Sequence, residues 1–414
     1  LTRKDIYIYW LILAIFYLYQ YILRVSPGVL VDEIRHHFHM NADQFSLIGS
    51  LYYCGYALMQ VPLGLLIDRI GIRITVLYSL VLCIMGMTML VIADSPLVAY
   101  IGRFIGGVGA AASFLSTLKI ASDYLPVSKR AIIIGASLFF GSLGALITGK
   151  PMNYLMDQFS TWQMSFIIFI CVGGVIFFLV FMLLPKLKRE VDIEDSELSN
   201  IKNNLLEIIT NKNIIRYIII VIGLFSPLMV MADLWGTAFL ISKFNITREV
   251  ASPILMNIYI GMAVGSIALP YLAQKYNILD KIIVYSVLIL LLLFSIVVYG
   301  VNLTNGDVIK LLILIGFFCG SVMLCYAGVL RYITAQISGL TIGVINTFNM
   351  LSGALLQQAI GFYLDYTWQG QLDAMGLRIY SKEKFIEAFS ILVAIIAFSA
   401  VVAVFTIIRK NTKN

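Results

Sequence analysis

The sequence predicts an all-α polytopic membrane protein, with twelve transmembrane helices in two pseudo-symmetric six-helix bundles. Three observations carry this. The chain has 414 residues, of which 60% are hydrophobic and 12% charged, with a mean hydropathy of +0.94. That is too apolar for a water-soluble globule of this length. Apolar stretches of about 20 residues recur from end to end, each long enough to cross a bilayer. Short features also recur at one offset. Ser26-Pro27 followed by Asp32 parallels Ser226-Pro227 followed by Asp233, and Gly144-Ala145-Leu146 leading to Asp157 parallels Gly353-Ala354-Leu355 leading to Asp365. These offsets lie between 200 and 209 residues, and Lys119 stands to Arg331 at a similar one. Several matches at one offset indicate a duplicated six-helix unit.

Taken in order, the spans fall near residues 6–31, 44–67, 73–93, 97–124, 130–156 and 162–184, then 214–242, 250–274, 281–300, 308–335, 340–365 and 384–408. Pro185 to Asn213 is the one long polar segment. It mixes Lys186, Lys188 and Arg189 with Glu190, Asp192 and Glu194, and its Leu205, Leu206, Ile208 and Ile209 predict a short amphipathic helix on the membrane surface. The expected division is an N-terminal bundle over 1–185, a cytoplasmic linker over 186–213 and a C-terminal bundle over 214–414. Arg3, Lys4, Arg69, Arg73, Lys129, Arg130, Lys275, Lys281, Arg409 and Lys410 join the linker cations on one side, against fewer on the other. By the positive-inside rule that side is the cytoplasm, which predicts cytoplasmic termini. The net charge of +7, gathered in alternate loops, is a topology signal and gives no reason to expect nucleic acid. The five cysteines sit in apolar runs without metal or redox spacing, so neither a metal site nor a disulfide framework is expected. The first apolar run lacks a small-residue cleavage site and is expected to stay as a helix, with a few residues preceding Leu1.

The stretch from Gly64 to Arg73 packs Asp68, Arg69 and Arg73 into a turn between two apolar runs. Asp68 falls where its helix should end, and an anion there is unfavourable unless a cation or another helix's N-terminus faces it. Gly64 lies one turn above on the same face and would let another backbone approach. Gly64, Asp68, Arg69, Gly71 and Arg73 together resemble the loop motif of the major facilitator superfamily, Gly-x-Leu-x-Asp-Arg-x-Gly-x-Arg, between its second and third membrane helices. The resemblance implies a role in the conformational cycle. A second copy around Gly265 to Lys275 is degraded at the Asp position. Arg103 to Ala111 resembles the superfamily's Arg-x-x-x-Gly-x-Gly-Ala-Ala motif, which the family links to proton coupling. Its glycines are read as close-packing positions, since no strand precedes them as a nucleotide loop requires. Gly141, Gly144 and Gly149 loosely resemble a motif of efflux branches. Trp162 to Phe166 is similar to the start of the sixth span in many members, with an interfacial anchor as the plain reading of Trp162. Leu23 to Val29 and Asn346 to Gly361 resemble a bacterial branch of nutrient importers that includes phagosomal transporters of intracellular bacteria.

Charges inside spans are rare and usually face a bundle interior or a wet cavity. Arg24, set among Tyr17, Tyr19, Gln20 and Tyr21, is read as a binding group, and Lys119 and Arg331 as a gate or cavity floor. Lys150 lies near an outer end, where snorkelling is an equal reading. Asp233 is the one acid well inside a span. Tyr52, Tyr53, Tyr56 and Gln60 form a polar stripe on the second span, and Asn346, Asn349, Gln357 and Gln358 another on the eleventh; both should face protein or cavity. The expected substrate-binding set is Arg24, Tyr21, Tyr53, Tyr56, Gln60, Lys119, Arg331, Asn346, Asn349 and Gln357. The expected coupling set is Arg103, Asp233 and Asp32. His36, His37 and His39 are read as a solvated loop. No catalytic constellation and no Walker loop is found, so neither an enzyme nor an ATP-driven pump is expected, and no cofactor.

The resemblance implies a monomeric secondary active transporter of the bacterial inner membrane, working by alternating access and driven by protons. The cationic balance favours import of a small anionic or zwitterionic nutrient: an amino acid, organic acid, nucleoside or carboxylate siderophore. Its partners would be that small molecule, protons and the lipid bilayer. A proton-coupled exporter of drugs or metabolites, and a non-transporting receptor on a transporter fold, are the alternatives.

Overall fold

The structure, a computed structural model, describes residues 3–159, 161–185, 195–334 and 337–411. Apolar spans in hydrocarbon must satisfy their backbone groups internally, and these residues do so as helices. The chain runs α1 (Arg3–Val29), α2 (Val31–Phe38), α3 (Ala42–Ile70) and α4 (Ile72–Ile92). The fourth crossing is broken at Ala111 into α5 (Pro96–Ala110) and α6 (Ala112–Tyr124). The fifth breaks into α7 (Val127–Ile147) and α8 (Lys150–Phe159), and α9 (Trp162–Leu183) completes the first bundle. In the linker, α10 (Asp195–Thr210) follows residues outside the described set. The seventh crossing is α11 (Lys212–Ser226), a π-helical stretch (Pro227–Trp235) and α12 (Gly236–Phe244). The rest are α13 (Arg248–Tyr276), α14 (Leu279–Tyr299), α15 (Asn305–Cys319) with α16 (Val322–Val329), α17 (Ser338–Tyr366) and α18 (Lys382–Asn411).

Among the described residues eleven crossings are long and apolar enough to span a bilayer, and α3, with 29 residues, completes the twelve. Phe178, Leu292 and Phe405 are among many large apolar side chains left exposed on the outer surface, as a lipid-facing belt requires. Inside each bundle, glycines set the spacing. A Cβ on Gly107 of α5 would collide with the Tyr52 carbonyl of α3; a Cβ on Gly316 of α15 would collide with the Ile258 carbonyl of α13. The two crossings are counterparts in the two halves, and both depend on small residues for close backbone approach. The halves meet along α3 with α17, α7 with α13, and α1 with the π-helical stretch.

Several local expectations are corrected. Trp162 is buried, stacked edge-on against His37 and Phe166, so it packs the bundle and is not an interfacial anchor. The histidines are solvated only in part: His37 and His39 are exposed, but His36 meets Asp373 at 3.2 Å and His37 also packs on Phe38 and Trp162. Among the described residues Gly64 has nothing within 4 Å of where its Cβ would stand, so none of their backbone approaches it in this conformation. Gly71 takes φ 84° and separates α3 from α4, while Arg73 donates to the Phe181 carbonyl at 2.6 Å. Arg69 is exposed, and the Asp68 side chain lies outside those described. The linker helix α10 is longer than expected: it packs on α11 and α17 through buried Ile208, leaving Leu206 and Ile209 exposed.

Candidate functional site

A cavity of about 1280 Å³ lies between the bundles. It opens at the face bearing the linker, where Gly64, Lys119 and Asn204 of α10 line it. The far face is sealed. The first amides of α3 would be orphan donors, and the other bundle supplies their acceptors. Ala42 donates to the Tyr380 hydroxyl at 2.9 Å and Asp43 to the Asp365 carboxylate at 2.8 Å. Asp365 therefore sits at a helix N-terminus, where an anion is favoured. It also holds Arg378 at 3.2 Å and accepts from the Tyr380 hydroxyl. Arg35 donates to the Arg378 carbonyl at 2.8 Å, Gln358 donates to Asp43, and Glu33 pairs with Arg248. In the same loop Asp373 accepts from the Leu377 and Met375 amides, which hold its carboxyl below the usual range.

At the head of the cavity stands Arg24, 5% exposed. Its guanidinium lies 3.9 Å from the Tyr21 ring centroid and 5.9 Å from that of Tyr53. Its Nε is 3.1 Å from an Asp233 carboxylate oxygen. That contact is an ion pair without hydrogen-bond alignment, and neither Nε nor Nη2 has a hydrogen-bond acceptor among the described residues. Asp233 accepts from the hydroxyls of Tyr53 and Tyr259. The four groups come from α1, α3, the π-helical stretch and α13, so the cluster joins the two bundles. Local backbone makes this possible. A Cβ on Gly28 would collide with the Asp233 carbonyl, so only glycine lets α1 come this close. Pro227 opens the π-helical stretch that carries Asp233, and such stretches are frequent at functional sites.

A second polar group stands on the cavity wall. Tyr326 donates to Asn346 at 3.2 Å, and Asn346 donates to Gln60 at 2.7 Å, linking α16, α17 and α3. Asn349 is buried on the same wall, and its Oδ1 has no donor among the described residues. Of the residues expected to bind substrate, Tyr21, Arg24, Tyr56, Gln60, Lys119, Asn346 and Asn349 line the cavity. Tyr53 lies behind Arg24 on Asp233. Gln357 donates to the Met229 carbonyl at 2.6 Å and does not line the cavity. Arg331 lies outside the lining, held by Asp280 and by the Tyr217 hydroxyl at 2.8 Å. Lys119 pairs with Asp123 at 3.3 Å.

The coupling set is also dispersed. Arg103 faces no carboxylate among the described residues: it donates to the Ile48 and Leu23 carbonyls at 2.7 and 2.8 Å and lies over the Tyr52 ring. It ties α5 to α3 and α1. Asp32 is 63% exposed at the far face, 4.0 Å from Arg35. Lys150 is exposed. The expected cationic surplus therefore does not gather in the cavity, where Arg24 and the Asp123-paired Lys119 are the expected cations that line it. The part played by Asp365 and the far-face loop is not read from the sequence. The one available signal was the repeated glycine-to-Asp pattern ending at Asp365.

A membrane-embedded cavity between two six-helix bundles, sealed at one face and open at the other, defines a membrane transporter. The Major Facilitator Superfamily family model matches residues 9–356, and the chain belongs to that superfamily. It is 22% identical over 362 residues to a hexuronate transporter of Bacillus subtilis (strain 168), covering 84% of this chain and 85% of that one. It is 25% identical over 186 residues to the uncharacterized transporter YybO of the same organism, covering 44% of this chain. There it spans less than half, 42%, of the relative's length. The crystal structure of a nucleoside transporter, NupG, superposes with a TM-score of 0.74 at 14% identity, covering 95% of this chain and 98% of that one. The fold is thereby shared.

Proposed function

We propose that this transporter imports an anionic solute together with a proton, as a monomer in a bacterial inner membrane with both termini and the linker cytoplasmic. The observation that carries the reading is Arg24: a buried guanidinium on the cavity wall whose Nη2 lacks an acceptor among the described residues. A planar fork of that kind suits a carboxylate or phosphate. The hexuronate transporter is similar over most of the chain, and a hexuronate is a sugar acid. Asn349 supplies an acceptor from the other bundle, suited to a hydroxyl or amino group of the same solute.

Asp233 provides the coupling. It competes with the solute for Arg24, so a proton on Asp233 frees the guanidinium for the incoming anion. Proton and anion then enter as a neutral unit. Open to the linker face, this conformation is the one that delivers solute to the cytoplasm. Lys and Arg concentrated at that face support the orientation.

The test is uptake into proteoliposomes from a panel of sugar acids, amino acids and nucleosides, with and without a proton gradient. Carboxylates should enter, faster with an acidic exterior, and a protonophore should abolish the acceleration. Equal uptake of neutral nucleosides, or dependence on sodium alone, would overturn the reading.

A further inference from the structure

The fifth crossing, α7 with α8, and α13, one from each bundle, touch at two levels and part between them. Towards the far face, Thr148 reaches the Met256 sulfur at 3.3 Å and Asn153 donates to Ser252 at 3.0 Å. Towards the linker face, Ile267 packs on Gly135, 3.2 Å from where a Cβ would stand. Between these levels a crevice of about 600 Å³ opens on the bilayer. Leu143 and Leu146 are on one wall, Ala263 and Val264 on the other, and Phe139 connects it to the main cavity. Phe139 and Val264 are exposed to the hydrocarbon. An apolar cleft of this size left empty forfeits dispersion contacts along its whole lining. In a bilayer the species at hand to fill it is an acyl chain.

The same two helices carry cations at their linker-face ends. Lys129 stands near the start of α7 and Lys275 in the last turn of α13; both are exposed. Their ammonium groups lie over the Tyr7 and Tyr276 rings at 5.8 and 5.3 Å, and neither has an ion-pair partner among the described residues. At the helical rise, Phe139 stands about 15 Å above Lys129, and Ala263 about 18 Å above Lys275. Half the hydrocarbon thickness of a bilayer is about 15 Å. A headgroup at the lysines thus places its chain in the crevice.

We propose that the crevice binds a phospholipid with an anionic headgroup. One acyl chain lies between α7 and α13, and the headgroup phosphate rests against Lys129 and Lys275. Because the walls belong to different bundles, the lipid acts as a wedge. It binds this arrangement better than one in which the walls have moved, and so shifts the population towards it.

Delipidated protein in detergent, titrated with phosphatidylglycerol and with phosphatidylcholine of the same chains, is read by native mass spectrometry. Phosphatidylglycerol should bind tighter, by roughly fivefold for each lysine. Lys129→Gln with Lys275→Gln should erase the preference and leave phosphatidylcholine binding in place. Ala263→Phe or Val264→Trp, made separately so that one folded variant suffices, should weaken both lipids. Equal binding of the two lipids to wild type would overturn the proposal. So would a preference that survives the double lysine change, or unchanged binding in a folded crevice-filling variant. No solute is involved, so the transport reading stands or falls separately.

Discussion

Arg24 and Asp233 form the pair on which the chemistry turns, and their energetics are those of a buried ion pair. Removing one partner strands a charge and costs about 3–5 kcal/mol, whereas removing both can be nearly neutral. Asp233→Asn alone should therefore lower the melting temperature and expression. Arg24→Gln with Asp233→Asn should recover much of the stability and none of the transport. A double variant that transports normally would show the pair to be structural only. Arg24→Lys keeps the charge and loses the fork, so solute affinity should fall roughly ten- to a hundredfold, the worth of one charge-assisted contact of about 1.5–3 kcal/mol. Transport assays and thermal melts on the same preparations separate these outcomes. Arg103 shows why a motif alone is a weak guide to role: it is buried as expected, yet its donors go to two backbone carbonyls.

At the scale of the element, the crossing of α1 with the π-helical stretch sets whether that pair can form. Gly28 stands against the Asp233 carbonyl and 2.7 Å, measured from an added Cβ, from the Leu234 Cα. Gly28→Ala should overpack this crossing by about 1–3 kcal/mol and push the bundles apart at the far face. The readout is alkylation of an engineered Ser50→Cys, now buried on α3, by a membrane-impermeant reagent from the far side. Its rate should rise roughly 5- to 150-fold over the same cysteine with Gly28 in place. No change would mean that α1 yields without moving the bundle. The helix breaks at Ala111 and at Thr148–Gly149, and the π-helical stretch, are not legible in hydropathy, because an average over a whole span does not report local backbone geometry.

For the whole molecule, the balance between faces depends on polar contacts at one end and open space at the other. Asp365 gathers the Asp43 amide, Arg378 and the Tyr380 hydroxyl, tying α3 to α17 and the far-face loop. Asp365→Asn removes the charge from that hub and should cost about 1–3 kcal/mol of closure. Spin labels at Asp32→Cys and Gln371→Cys should show one short distance in the parent and an added longer component in the variant. An unaltered distribution would place the seal elsewhere. Gly64 belongs to the opposite end. It faces the cavity with nothing near it, so whatever close approach it permits belongs to another arrangement of the bundles.

Much of the architecture was legible without coordinates because hydropathy and loop charge are local quantities that a bilayer reads one segment at a time. The twelve helices, the two bundles and the superfamily all followed from them and from the Gly64–Arg73 motif. Polar stripes likewise placed Tyr56, Gln60, Asn346 and Asn349 on inward faces. What only the tertiary structure decided is which of the charges within the spans meet. Arg24 finds Asp233 some 200 residues away, Arg331 is taken by Asp280, and Arg103 is taken by backbone. The physical reason is angular. Each residue along a helix turns the side chain by about 100°, and whether two such vectors converge depends on the packing angle and depth of helices from opposite halves. Those are set by glycine contacts such as Gly28 on Asp233, which no local stretch of sequence encodes by itself.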